Sequence, residues 1–183
     1  MVLGAGAWGA ALATLAAANG HEVALWARRQ DLADRLNQDR SHPSLPGVAI
    51  APEIAATTAL GEVSDAQIIV LAVPAQAMRA VCEAITPLVR DRTLAVIAAK
   101  GLERTSGCMM HEVVGEALST AIPAILSGPG FADDVANGLP VAVTLAAVDQ
   151  GSAAQCAKIF ARPTFCLLYT SDAADEECRV GGG

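Results

Sequence analysis

Aromatic side chains are scarce: they make up 3% of the 183 residues, whereas hydrophobic residues as a class make up 53%. A core built from this chain must therefore rest on Ala, Val, Leu and Ile, which suits helices lying close against a buried parallel sheet. Positive charge is also in short supply. With 12 Lys and Arg against 19 Asp and Glu the net charge is −7, which argues against a nucleic-acid partner held through its phosphates. No apolar run reaches the ~18 residues of a membrane span. Met1 is followed by a short strand-like segment rather than by a charged region and an apolar one, so neither a span nor a signal peptide is expected. The histidines, His21, His42 and His111, are isolated and show no ligand spacing. The cysteines (Cys82, Cys108, Cys156, Cys166 and Cys178) include no C-x-x-C pair, so free cytosolic thiols are expected in place of metal or disulfide chemistry. Repeats and low-complexity tracts are missing. A chain of this length holds one large domain, or one domain and part of another.

What is present starts at the first residues. Gly4, Gly6 and Gly9 form G-x-G-x-x-G between a short apolar run, Met1-Val2-Leu3, and an Ala/Leu-rich helical run over residues 10–19. That strand–turn–helix setting is the one a dinucleotide fingerprint needs. Gly4 serves the tight turn, Gly6 lets backbone approach a diphosphate, and Gly9 lets helix and strand pack closely. Ala7 and Trp8 complete the loop, and the helix end behind it offers N–H groups and a positive dipole to an anion. The plainer alternative is a glycine-rich structural turn. Three residues are few for a central strand, which suggests that the natural start lies further upstream.

Further along, apolar runs alternate with helical stretches. Strands are expected at residues 21–26, 66–73, 93–99, 123–126 and 140–146. Helices are expected at 31–39, 75–85, 103–118, 132–137 and 152–160, and Gly20 stops the first helix. Residues 41–52, rich in Pro and Gly, read as a loop, and 57–63 as a short helix or turn. The sum is an α/β fold, a doubly wound and mostly parallel sheet of Rossmann type.

Three places carry candidate chemistry. After the second strand, where an NAD-restricted site has an Asp or Glu, this chain has Trp26-Ala27-Arg28-Arg29. Two guanidiniums can pair with a 2′-phosphate or stack on adenine, which leans the cofactor NAD(P) towards NADP(H), or towards tolerance of both; two solvated arginines opening a helix is the alternative. Lys100 follows a buried strand at its carboxyl end, where it can meet an anionic substrate or a developing oxyanion, unless it is a surface lysine. Ser127-Gly128-Pro129-Gly130-Phe131-Ala132 is a second glycine-rich turn opening a helix, able to present N–H groups to an anion or simply to turn the chain.

Together these residues resemble the bacterial NAD(P)-dependent glycerol-3-phosphate dehydrogenases. The matching pieces are Gly4-Ala5-Gly6-Ala7-Trp8-Gly9, Trp26-Ala27-Arg28-Arg29, Leu45-Pro46, Val73-Pro74, Ala99-Lys100-Gly101-Leu102-Glu103, Ser127-Gly128-Pro129, Phe131-Ala132 and Gly138-Leu139-Pro140, in register from residue 1 to about 165. The resemblance implies a cytoplasmic oxidoreductase that interconverts sn-glycerol 3-phosphate and dihydroxyacetone phosphate for phospholipid synthesis. It places Trp8, Arg28, Lys100 and Ala132 on the cofactor and Lys100, Gly128 and Gly130 on the substrate. It also implies that no residue of this chain is the proton-transferring lysine. That lysine is expected beyond residue 183, ahead of a helical C-terminal domain that this chain lacks, and the full-length protein is allowed a homodimer. Gly130 departs from the family's Ser or Thr and loses a hydroxyl. A dinucleotide-binding domain over residues 1–165 and a tail over 166–183 are therefore expected. From Cys166 to Glu177 the tail resembles translated sequencing-adapter read-through. Residues after Ser171 read as non-native and the closing glycines as disordered, while 167–171 also fit a native strand. Two rival functions stand beside this one: a related dehydrogenase acting on another hydroxy acid, and a non-catalytic module that senses nicotinamide.

Overall fold

The computed structural model describes residues 1–171. In chain order β1 (Val2–Leu3) leads to α1 (Ala7–Ala18), β2 (Val23–Trp26) and α2 (Gln30–Gln38). A hairpin of β3 (Ser41–His42) and β4 (Leu45–Ala49) precedes β5 (Ile54–Thr57). A 3-10 segment (Leu60–Asp65), β6 (Ile68–Leu71) and α3 (Met78–Ile85) follow. Then come β7 (Leu94–Ile97), α4 (Met110–Ala117), β8 (Ile122–Ser127), α5 (Ala132–Ala136), β9 (Val141–Ala147), α6 (Gln150–Phe160) and β10 (Phe165–Ser171).

The main sheet has eight strands in the order β10-β9-β8-β7-β6-β1-β2-β5. From β5 to β8 every neighbouring pair is parallel; β9 runs antiparallel to β8, and β10 parallel to β9. Strand order therefore reverses between β1 and β6, the place where open α/β sheets bind ligands, outside the carboxyl ends of their strands.

The central strands β1, β6 and β7 are covered on both faces, which is why they read as continuous apolar runs, whereas along β9 and the start of β10 exposed residues alternate with buried ones. Residues alternate between two cores. Val2, Val70, Val96, Val143 and Leu145 face the layer containing α1, α2 and α6, while Leu3, Ile69, Leu71, Ala95 and Ile97 face α3 and α4. α1 is apolar almost all round, with Ala10, Ala11, Leu12 and Ala13 buried. Its small side chains make up for the missing aromatics by letting helix and sheet approach closely.

Some elements differ from the sequence expectation. Within the expected loop, residues 41–49 are a hairpin, closed by the Ile50 N–H donating to the Arg40 carbonyl at 2.9 Å. Residues 54–57 are a strand missed by pattern. They are an edge strand paired with β2, and the Asn37 amide of α2 clasps Ala56 through two bonds of 2.8 and 2.9 Å. Only 110–117 of the expected helix 103–118 is helical. Gly107 takes φ +75, and its N–H donates to the Glu103 carbonyl at 2.8 Å, closing a turn ahead of the helix. Residues 165–171 form β10, which pairs with β9 over its whole length. The expectation of a non-native end after Ser171, like Cys178, lies outside the described residues.

Candidate functional site

The glycine loop sits at the reversal point. Gly4 adopts φ +114, and a Cβ there would lie 2.6 Å from the backbone oxygen of Ala72, just past β6. Its N–H donates to the Trp26 carbonyl at 3.1 Å, tying the loop to the end of β2. A Cβ on Gly9 would collide with the Gly4 carbonyl, so helix and loop meet backbone to backbone. Gly6 is different: a Cβ there would find no protein atom within 4 Å. Gly6 also caps α1 without any side-chain bond, and the first turn of that helix carries no acidic residue. The free N–H groups and the open approach over Gly6 fit the diphosphate of a dinucleotide.

The other predicted residues gather on the same edge of the sheet. Arg28 and Arg29 follow β2, Lys100 follows β7 and Gly128 follows β8. The Lys100 ammonium donates to the Gly128 carbonyl, joining two residues expected on the substrate. A Cβ on Gly130 would lie 3.7 Å from the Trp8 ring, so the second glycine turn comes close to the first loop. It would also lie 2.7 Å from the Val141 Cγ1. The missing hydroxyl at this position thus coincides with a valine occupying its space. Ala132 opens α5, which packs on α1 but has only five residues, with Asp133 and Asp134 in its first turn. Those carboxylates oppose an anion at that helix end. Arg28 is exposed, whereas Arg29 pairs with Asp31 at 3.3 Å. Of the two, Arg28 is the guanidinium without an ion-pair partner among the described residues.

Three features escaped the sequence reading. His42, buried in the hairpin, lies 3.0 Å from the Ala5 carbonyl through Nε2. Gln76 brackets the segment after Lys100, donating to the Leu102 carbonyl at 2.8 Å and accepting from the Arg104 N–H at 3.0 Å. Glu103, nearly buried, receives a bidentate grip from Arg79 at 2.9 to 3.1 Å and the Ser106 hydroxyl at 2.6 Å. Arg79 also reaches Glu116 of α4 at 2.9 Å. No local pattern marks these residues, since their partners are distant in sequence.

The Arg79 guanidinium first, and the Ser106 hydroxyl second, hold the Glu103 carboxyl below its usual range. A carboxyl lowered on folding stabilises the protein above its unfolded pKa, about 4.3 for Glu, and loses that contribution as pH falls through the lower folded value. Glu103→Gln is therefore expected to melt several degrees below the wild type at neutral pH, with the gap closing below about pH 4. Melting curves from neutral to acid pH check this; a gap that stays constant refutes it.

Burial pushes the Cys82 thiol up to about 11 and the Cys156 thiol up to about 12, so neither supplies a thiolate nucleophile. Among the described residues no helix is long and apolar enough to cross a membrane, and no group of His, Cys, Asp and Glu could hold a metal. A separate hollow of about 370 Å³ lies between α1, α5 and the start of β10, lined by Thr14, Val135, Asn137, Arg162 and Phe165 among others; it includes no residue of the glycine loop.

A family model described as NAD-dependent glycerol-3-phosphate dehydrogenase N-terminus matches residues 1–153. A curated relative from Bradyrhizobium diazoefficiens, called glycerol-3-phosphate dehydrogenase (NAD(P)+), is 44% identical over 181 residues, covering 99% of this chain and 55% of that protein. One of the same description from Parvibaculum lavamentivorans is 42% identical over 182 residues, covering 99% and 54%. The chain thus spans about half the length of the curated relatives it matches. The crystal structure of glycerol-3-phosphate dehydrogenase from Coxiella burnetii superposes with a TM-score of 0.87 at 30% identity, covering 94% of this chain and 53% of that one.

Proposed function

The chain belongs to the family of NAD-dependent glycerol-3-phosphate dehydrogenase N-termini, and from that premise we propose that it is the dinucleotide-binding part of an oxidoreductase interconverting sn-glycerol 3-phosphate and dihydroxyacetone phosphate. The observation that carries this reading is the placing of the glycine loop. It sits at the reversal of strand order, with open space over Gly6 and Lys100 drawn to Gly128 on the same edge.

A bound reduced nicotinamide supplies the hydride for the carbonyl carbon. The chain's own residues bind and orient. Gly4, Gly6, Ala7, Trp8 and Gly9 form the diphosphate cradle, with Ala132 beside it. Arg28, helped by Arg29, takes the 2′-phosphate of NADP(H). Lys100 faces the substrate's reacting oxygen, and the backbone of Gly128 and Gly130 holds the substrate from the other side. The proton is transferred by a lysine outside these residues. The dinucleotide-binding domain covers residues 1–165. The product would supply the backbone of glycerophospholipids in the cytoplasm, and a homodimer is the assembly proposed for the full-length enzyme.

Fluorescence titration with NADPH and NADH tests the binding half of this reading. Arg28→Ala is expected to weaken NADPH binding about tenfold, the worth of one charge-assisted contact, and to change NADH binding less than about twofold. The 183-residue chain is expected to bind dinucleotide yet turn dihydroxyacetone phosphate over poorly or not at all. Equal losses for the two dinucleotides would overturn the NADP(H) preference. Failure of the wild type to bind either one would overturn the proposed function.

A further inference from the structure

The glycine loop is held from behind by a side chain far from it in sequence. His42 belongs to the small hairpin that the chain inserts between α2 and β5. It is one of the few buried polar residues, with 4% of its surface exposed. Both ring nitrogens are engaged. Nδ1 accepts the Ser44 N–H at 3.1 Å, so it carries no proton. The ring proton is therefore on Nε2, which lies 3.0 Å from the Ala5 carbonyl and donates to it.

Ala5 C=O and Gly6 N–H belong to one peptide unit. In a trans peptide these two groups point in opposite directions across a rigid plane. Fixing the carbonyl on the protein side therefore fixes the Gly6 N–H on the other side. Gly6 is the exposed residue over which no protein atom approaches a Cβ position within 4 Å. Glycine-rich backbone has the most conformational freedom to lose, so an unrestrained plane here would cost the most to order at binding.

We propose that His42 is a positioning residue for the dinucleotide loop: its Nε2–H clamps the Ala5 carbonyl and so presets the Gly6 N–H towards the diphosphate. The proposal rests on the functional reading above.

Two amides separate the two bonds of the ring. In His42→Gln the side-chain NH2 reaches the Nε2 position and can still donate to Ala5. In His42→Asn the shorter side chain reaches only the Nδ1 position and can serve Ser44 alone. The expected result is dinucleotide binding within about threefold of wild type for the Gln variant and about tenfold weaker for the Asn variant. A role confined to holding the hairpin gives the opposite order, and that order, or equal affinities, overturns the proposal.

Amide relaxation by NMR on the unliganded protein supplies a second reading. The Gly6 amide of the wild type is expected to be ordered, with an order parameter near ~0.85, and to fall below ~0.6 in His42→Asn. A mobile Gly6 amide in the wild type refutes the clamp without any variant. An ordered Gly6 amide in a wild type that binds neither NADH nor NADPH refutes the functional reading instead.

Discussion

Gly6→Ala is expected to raise the melting temperature of the protein by about 1–4 °C and to weaken NADH and NADPH binding by roughly 30-fold or more, through lengthened charge-assisted hydrogen bonds. The backbone of Gly6 sits at φ −77 and ψ 176, which any residue adopts. The new methyl meets no protein atom within 4 Å, so folding does not resist it. Losing a glycine from the unfolded chain is worth about 0.4–1 kcal/mol in favour of the folded state. The same methyl stands where a diphosphate must approach backbone closely. Gly4→Ala is the contrasting case. Its φ of +114 strains an alanine, and the added Cβ lies 2.6 Å from a backbone oxygen that no rotamer change can move aside. A melting temperature about 10 °C lower is expected there, because strain of that kind displaces the junction of β1 and β6. Dye-monitored melting and dinucleotide titration on both variants distinguish the two glycines. If Gly6→Ala binds as tightly as the wild type, the dinucleotide does not lie against this loop.

The different tasks of those two glycines follow from their places in the motif, but that a Cβ meets the Ala72 backbone at Gly4 and open space at Gly6 comes from the fold alone. The motif itself was legible, because the turn, the close approach and the helix packing are each local demands that only glycine meets. The central strands β6 and β7 were legible for a related reason. Both sheet faces are covered, so Ile68–Leu71 and Leu94–Ile97 are apolar at every position. β5 was not legible. Ile-Ala-Ala-Thr has no strong preference of its own and becomes a strand through its pairing with β2 and the Asn37 clasp. The turn at 103–109 was hidden by helix-compatible residues at either end, although Gly107, at φ +75, closes it locally; the Arg79 grip on Glu103 comes from far away in sequence. The candidate site follows the same rule. The place of Lys100 after a buried strand was readable, whereas the His42 bond gave no signal, since it spans 37 residues to Ala5.

Lys100→Met is the second variant from which a large loss is expected. It is best assayed in a chimera that joins this chain to the second half of a curated relative. Turnover of dihydroxyacetone phosphate should fall about 10²–10³-fold, the worth of one preorganised donor at a developing oxyanion. Dinucleotide affinity should fall far less, by about fivefold, because Lys100 adds one contact to a cofactor held chiefly by the diphosphate cradle. Methionine keeps much of the length and the apolar stem and removes the charge. It also removes the bond to the Gly128 carbonyl. That loss need not release the second glycine turn, because Gly128 abuts Val143 so closely that a Cβ would lie 2.7 Å from its Cγ1. The loss should therefore appear in kcat and kcat/KM together, as for an interaction made chiefly in the transition state. Lys100→Arg restores charge as a flat fork in place of a compact ammonium, so it should recover only part of the rate. A Lys100→Met chimera within about threefold of the parental kcat would place the reacting oxygen elsewhere, since the loss of a preorganised donor at that oxygen is too large to be hidden in so small a change.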